Sequence, residues 1–162
     1  MGQDDTKHNL LFISKYPEII HEFTDAMKDR DIEIETAING IEAAAKIKKK
    51  NYDVVITGLS LEGYNGEQII TYLNKTAPST VCIIYTTTIS SAQLHFFINE
   101  RNVFRVFLRP VDFRGAFWEA LEEAYEYHAV QVKNEEDTGA RRQEQEKQER
   151  EIEIMDQRMR SQ

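Results

Sequence analysis

Cysteine, tryptophan and proline are scarce in this chain, and so is any long run of apolar residues. A single cysteine, Cys82, rules out a disulfide within the chain and any Cys-based metal site built by one copy. It lies in the apolar run Val81-Cys82-Ile83-Ile84-Tyr85, where a small buried side chain belongs. The four histidines, His8, His21, His95 and His128, show no metal-ligand spacing, and no metal or other cofactor is expected. No apolar stretch approaches the roughly 20 residues of a membrane span, and the polar Met1–Asn9 does not read as a signal core. A soluble, cytoplasmic protein without a membrane partner is the expectation. Positive charge is also short: 20 Lys and Arg face 28 Asp and Glu, a formal net charge of −8. That balance excludes a nucleic acid backbone as the main partner, since such binders carry a net basic face. Lys46, Lys48, Lys49 and Lys50 form the one local exception. They follow the apolar Ile41, Ala43, Ala44 and Ile47 and read as the solvated end of a helix, cations suited to its C-terminal dipole.

The apolar residues that are present follow a regular order. Leu10-Leu11-Phe12-Ile13 is a continuous run of the kind shown by a strand buried on both faces. Pro17 then opens a segment with Ile19, Ile20, Phe23 and Met27 at helical spacing. Ile32, Ile34 and Thr36 alternate with Glu33 and Glu35, as in a half-exposed edge strand, and Asn39-Gly40 turns into the next helix. Tyr52 to Thr57 predicts a further buried strand; Ile69, Ile70 and Leu73 mark a helix that ends before Pro78. Thr80 to Tyr85 predicts a strand, Ala92 to Asn99 a helix and Val103 to Leu108 the last strand. A long helical segment with Phe117, Leu121, Ala124 and Tyr125 follows. Five strands alternating with five helices imply a parallel sheet covered on both faces, because parallel neighbours need crossover helices. The fold class is therefore α/β, a doubly wound five-stranded parallel sheet of flavodoxin-like order with a C-terminal helical extension. Its working site belongs just beyond the carboxyl ends of the strands.

The stretch Tyr52-Asp53-Val54-Val55-Ile56-Thr57-Gly58-Leu59-Ser60-Leu61-Glu62-Gly63-Tyr64-Asn65-Gly66 resembles the receiver domain of bacterial two-component response regulators. Tyr85-Thr86-Thr87 is similar to the end of that family's fourth strand, and Leu108-Arg109-Pro110 to the Lys-Pro step after its fifth. The resemblance covers about residues 9 to 127. It implies two acidic residues after the first strand to hold Mg²⁺, an aspartate after the third strand to accept a phosphoryl group, and a lysine after the fifth. Here those positions hold Ser14 and Lys15, Gly58, and Arg109, and only Thr86 keeps the family type. Glycine offers no nucleophile, and Mg²⁺ demands hard anionic oxygens that an ammonium lacks. The expectation is a degenerate receiver, a pseudo-receiver, with no catalytic residue and no metal.

Other acids do not fill the gap. Asp53 lies five residues before Gly58, about 16 Å away at strand rise, and belongs at the opposite end of the sheet. Glu62 is a lone loop carboxylate, and Asp4 and Asp5 precede the first strand. Lys15 and Arg109 bring two cations to the cleft, either as an anion clamp or simply solvated or bonded to neighbours. The resemblance also implies an aromatic on the fifth strand that follows the threonine; that position holds Val106, flanked by Phe104 and Phe107.

The family's usual interface, the fourth helix, fifth strand and fifth helix, carries surplus aromatics. Phe96 and Phe97 are adjacent, as are Phe117 and Trp118, so one of each pair is expected to look outward as an interface anchor. A receiver-like domain over residues 9–130 is then followed by a polar linker and C-terminal helix, 131–162. Asn134 to Gly139 reads as a breaker, and Ile152, Met155 and Met159 make one heptad of apolar seam, either a marginal coiled coil or disordered. Read together, these features imply a protein-interaction module in bacterial signal transduction. Its partner would be a kinase, an effector or a second copy in a homodimer. The alternative is a sensor that binds a small anion or ligand in the former phosphorylation pocket. An enzyme is not expected, because no nucleophile–base pair or Gly-rich phosphate loop is visible.

Overall fold

The continuous apolar runs form the inner strands of a five-stranded parallel sheet in a computed structural model that describes residues 8–160. The residues numbered 1–7, with Asp4 and Asp5, and 161–162 at the end of the tail lie outside the described residues. The elements are β1 (His8–Ile13), α1 (Pro17–Met27), β2 (Ile32–Ala37), α2 (Gly40–Lys49), β3 (Val54–Thr57), α3 (Gly66–Thr76), β4 (Val81–Thr86), α4 (Ser91–Glu100), β5 (Val103–Leu108) and α5 (Ala116–Arg160). Strand order is β2-β1-β3-β4-β5, the flavodoxin-like order. Leu10 pairs with Ile34 on one side and Val54 on the other, so β1 is held along both edges.

Two core clusters follow from the period-2 alternation of strand side chains. Leu10 and Phe12 point to one face with Phe23, Phe113, Phe117 and Leu121, whose residues come from α1, α5 and the turn before α5. Leu11 and Ile13 point to the other with Ala43, Ile70, Leu73 and Phe97, from α2, α3 and α4. Every residue of β3 is buried, which explains why its sequence is apolar without interruption. Aromatic rings dominate the first cluster: Phe12 stacks on Phe23 at 4.2 Å, and Phe117 meets Phe113 edge-on at 5.0 Å.

Local chemistry sets the helix starts. Asn39 accepts from the Glu42 N–H at 2.8 Å at the head of α2. Asn65 with Gln68, and Ser90 with Gln93, form reciprocal capping boxes at α3 and α4. The lysines closing α2 are less solvated than expected. Lys46 donates to the Thr36 carbonyl, and Lys50 pairs with Glu33 at 2.5 Å and Glu35 at 2.7 Å, tying α2 to β2.

The chain divides into two compact units after His128, two residues before the expected boundary. The second unit is helical through residue 160 and contains no buried residue among those described. The stretch 134–139, expected to break the helix, is helical instead. Glu135, Glu136, Ala140 and Arg141 are good helix formers, and one glycine costs a helix only about 1 kcal/mol. Among the described residues no helix is long and apolar enough to cross a membrane.

Candidate functional site

At the carboxyl ends of β1, β3, β4 and β5, the turns bring Ser14, Lys15, Gly58, Thr86 and Arg109 around one cleft with Tyr16, Ser60 and Tyr85. The cleft has a volume of only ≈ 50 Å³. Small-molecule pockets run from about 300 Å³ upward, so this space suits a few waters or a small ion.

Backbone bonds hold the rim. Ser14 N–H donates to the Ala37 carbonyl at 3.1 Å, Gly58 N–H to Ile13 at 3.0 Å, and Arg109 N–H to Thr86 at 2.8 Å. The β3–α3 loop is fixed by two close approaches that only glycine permits. A Cβ on Gly66 would stand 2.2 Å from the Gly58 carbonyl oxygen, and one on Gly40 would stand 1.8 Å from that of Tyr64. Gly58 itself is different: a Cβ there would meet nothing nearer than the Tyr85 carbonyl oxygen at 3.7 Å. Neither close contact nor backbone conformation demands glycine at this position.

The polar side chains are already engaged. Buried Ser14 accepts the Tyr16 N–H at 3.2 Å through its hydroxyl, forming the turn that starts α1. Lys15 Nζ donates to Ser60 Oγ at 3.3 Å. Thr86 Oγ1 donates to the Thr88 carbonyl at 3.3 Å. Arg109, joined to Pro110 by a cis peptide, lays its guanidinium over the Tyr16 ring at 4.6 Å and lies 6.0 Å from the Tyr85 ring. Burial pushes the Tyr85 phenol up, with Arg109 pulling the other way. Both cations line the cleft, each resting on a neighbour of its own.

The residues numbered 11–116 match the model of the response regulator receiver domain. The chain belongs to that family. No curated protein matches it significantly. Among solved structures, the receiver is similar to the signal receiver domain of an HD domain-containing protein from Pseudomonas fluorescens Pf-5, at 19% identity over 76% of this chain and 98% of that one, TM-score 0.72. A receiver domain protein from Methanospirillum hungatei JF-1 gives 18% identity, 77% and 99% coverage and TM-score 0.70. The adenylate cyclase from Rhodopirellula baltica gives 20%, 80% and 96%, and TM-score 0.73.

The Mg²⁺ that the family implies does not fit these donors. No carboxylate lines the cleft among the described residues, the Ser14 hydroxyl already accepts a backbone N–H, and Lys15 adds like charge. Asp53 lies before β3, at the far end of the sheet, and Glu62 is exposed with its backbone carbonyl accepting from Gly40 at 2.8 Å.

Two of the expected interface anchors are corrected. Phe97 and Phe117 are 3% and 1% exposed and belong to the core, because each points at the sheet from its own helix. Phe96 is half-buried, edge-on to Phe97 at 5.5 Å with Arg101 over its ring. Trp118 is also half-buried, but it packs against the α1–α5 layer, where Arg30 covers it at 4.3 Å, rather than on the α4–β5 side. The apolar side chains that do face outward from α4 and β5 are Leu94, Ile98 and Leu108, at 40%, 40% and 50% exposure. Leu94 and Ile98 stand at i and i+4, a sequence signal for one helix face.

Proposed function

We propose that this receiver is a pseudo-receiver: a cytoplasmic, phosphorylation-independent module that takes no phosphoryl group and docks a protein through α4 and β5. Gly58 carries the reading, since the position that follows β3 lacks any nucleophile. The donor chemistry of Ser14 and Lys15, unsuited to Mg²⁺, supports it independently. Leu94, Ile98 and Leu108 supply the exposed apolar contact, with the Arg105–Glu123 ion pair beside them joining β5 to α5. Partners in the family's manner are a kinase, an effector or a second copy. The anion-sensor alternative has weaker support, because Lys15 and Arg109 rest on Ser60 and Tyr16 and the cleft is small.

Intact-mass analysis after incubation with acetyl phosphate and Mg²⁺ tests the reading. The mass stays unchanged and beryllium fluoride leaves the melting temperature where it was. A stable adduct of phosphoryl mass refutes it.

A further inference from the structure

The opposite end of the sheet carries a titratable cluster that the cleft does not involve. Asp53, just before β3, exchanges bonds with Asn9: its N–H donates to Asn9 Oδ1 at 2.6 Å, and its carboxylate accepts the Asn9 N–H at 3.4 Å. The same carboxylate stands 3.1 Å from His128 Nε2 on α5 and 3.8 Å from His8 Nδ1 on β1. The second nitrogen of His128 lies 2.8 Å from the Ser79 carbonyl oxygen. One turn earlier on α5, Tyr125 donates to the Asn9 carbonyl at 2.9 Å and stacks on the His8 ring at 4.2 Å.

A neutral imidazole has one N–H and one lone pair, so either tautomer would turn a lone pair against an oxygen here. An imidazolium has a donor on each nitrogen and satisfies both the Asp53 carboxylate and the Ser79 carbonyl. We propose that His128 is a proton-operated latch: as an imidazolium it ties the Tyr125–His128 turn of α5 to Asp53 and Ser79 at the base of the sheet, and its deprotonation releases that turn. The signal this site reads is proton activity, through the residue that ends the receiver's compact unit.

The facing titratable groups set the window. His8 competes for the same carboxylate from β1. Tyr125 stays a neutral donor throughout, its phenol pushed up by burial and by the Asp53 charge. Burial pushes the Asp53 carboxyl up, but the His128 bond and charge, the Asn9 N–H and His8 outweigh it, and the group titrates below the usual carboxylate range. The Asp53 contribution is thus present above the ordinary carboxylate range and lost as pH falls through its lowered value. That of His128 runs the other way: present in acid and lost as pH rises through its own titration. The latch is closed between the two. The inference does not rest on the reading of the cleft, which lies at the other end of the strands.

The test is histidine NMR on the full chain across roughly pH 5 to 9, with amide hydrogen exchange over residues 124–128 corrected for intrinsic rates. The His128 midpoint falls by roughly 0.5–1 pH unit in Asp53→Asn, an isosteric change that keeps the Asn9 bonds. Exchange in this turn speeds several-fold as pH rises past the His128 midpoint, and that step disappears in His128→Gln while persisting in His8→Gln. A midpoint unmoved by Asp53→Asn, or an exchange step that survives His128→Gln, overturns the latch. Loss of the step in His8→Gln alone overturns its assignment to His128.

Discussion

Gly58→Asp tests whether the cleft lost only its nucleophile or its whole chemistry. The substitution has room: the nearest atoms to a Cβ at this position are the carbonyl oxygens of Tyr85 at 3.7 Å and Ile13 at 4.0 Å, ordinary van der Waals distances. Replacing glycine where the backbone suits any residue stabilises by about 0.4–1 kcal/mol through the unfolded chain. A carboxylate there also gains a few tenths of a kcal/mol from Lys15, and opposing carbonyl dipoles remove a similar amount. The net change lies within about 1 kcal/mol of wild type, a shift of no more than about 2–4 °C in melting temperature. Phosphorylation by acetyl phosphate stays absent, because Ser14 and Lys15 still supply no anionic oxygen for Mg²⁺. Adding Ser14→Asp and Lys15→Asp restores the carboxylates, and Asp at position 14 can still accept the Tyr16 N–H that Ser14 now takes at 3.2 Å. The triple variant therefore binds Mg²⁺ and gains phosphoryl mass. Thermal unfolding and intact-mass spectrometry read both outcomes. A loss above about 2 kcal/mol in the single variant refutes the claim of room, and ready phosphorylation of it refutes the account of Lys15.

Further perturbations separate structural from functional roles. Gly66→Ala forces a methyl group to within 2.2 Å of the Gly58 carbonyl oxygen and costs about 1–3 kcal/mol by displacing the β3–α3 loop, readable as a lower denaturation midpoint at unchanged slope. Trp118→Ala removes packing and the Arg30 contact, so it lowers folding stability and leaves association unchanged in sedimentation velocity. Leu108→Ser, at an exposed β5 position, does the reverse: stability moves by about 0.5 kcal/mol or less and partner or self association weakens. Cys82, buried with its thiol pushed up to about 12 by desolvation, reacts with thiol reagents only at the rate of unfolding; fast native-state labelling counts against its placement in the core.

The sheet was legible because its inner strands are buried on both faces, which leaves uninterrupted apolar runs such as Leu10–Ile13 and Val54–Ile56. The cleft positions were read through the family resemblance, in which Gly66 keeps its spacing from the position after β3; in the structure Gly66 lies against the Gly58 carbonyl oxygen. Outward faces were harder to read. Phe96-Phe97 drew attention by size, yet hydrophobicity brings both toward the sheet, while Leu94 and Ile98 one turn apart make the exposed stripe. Trp118 was assigned to the wrong side because adjacent aromatics on α5 divide between two neighbours, and only the packing of α1 shows which ring Arg30 covers. The Asp53–His128 pair brings together residues far apart in sequence, so spacing carried no sign of it. Local pattern also misjudged 134–139, where flanking helix formers outweigh one glycine.

On the proposed reading, the routes by which a receiver changes state are closed at the cleft. A two-state element needs a change of charge or packing that favours one state over the other. Thr86 bonds the Thr88 carbonyl, Val106 lies half-buried against the α2–α4 layer where the family resemblance implies an aromatic, and Arg109 rests on Tyr16. Threonine and valine side chains carry no charge, and a guanidinium keeps its proton in proteins. The α4–β5 surface is then available at all times, and its affinity for a partner follows partner concentration rather than phosphorylation. In the latch proposed above, the change of charge sits at the other end of the strands, on His128, where it acts on α5 rather than on α4. Regulation by protons and docking through α4–β5 are thus separable: a Leu108→Ser variant keeps the pH-dependent exchange step at residues 124–128, and a His128→Gln variant keeps the association. A single substitution that abolished both would show the two ends of the sheet to be coupled.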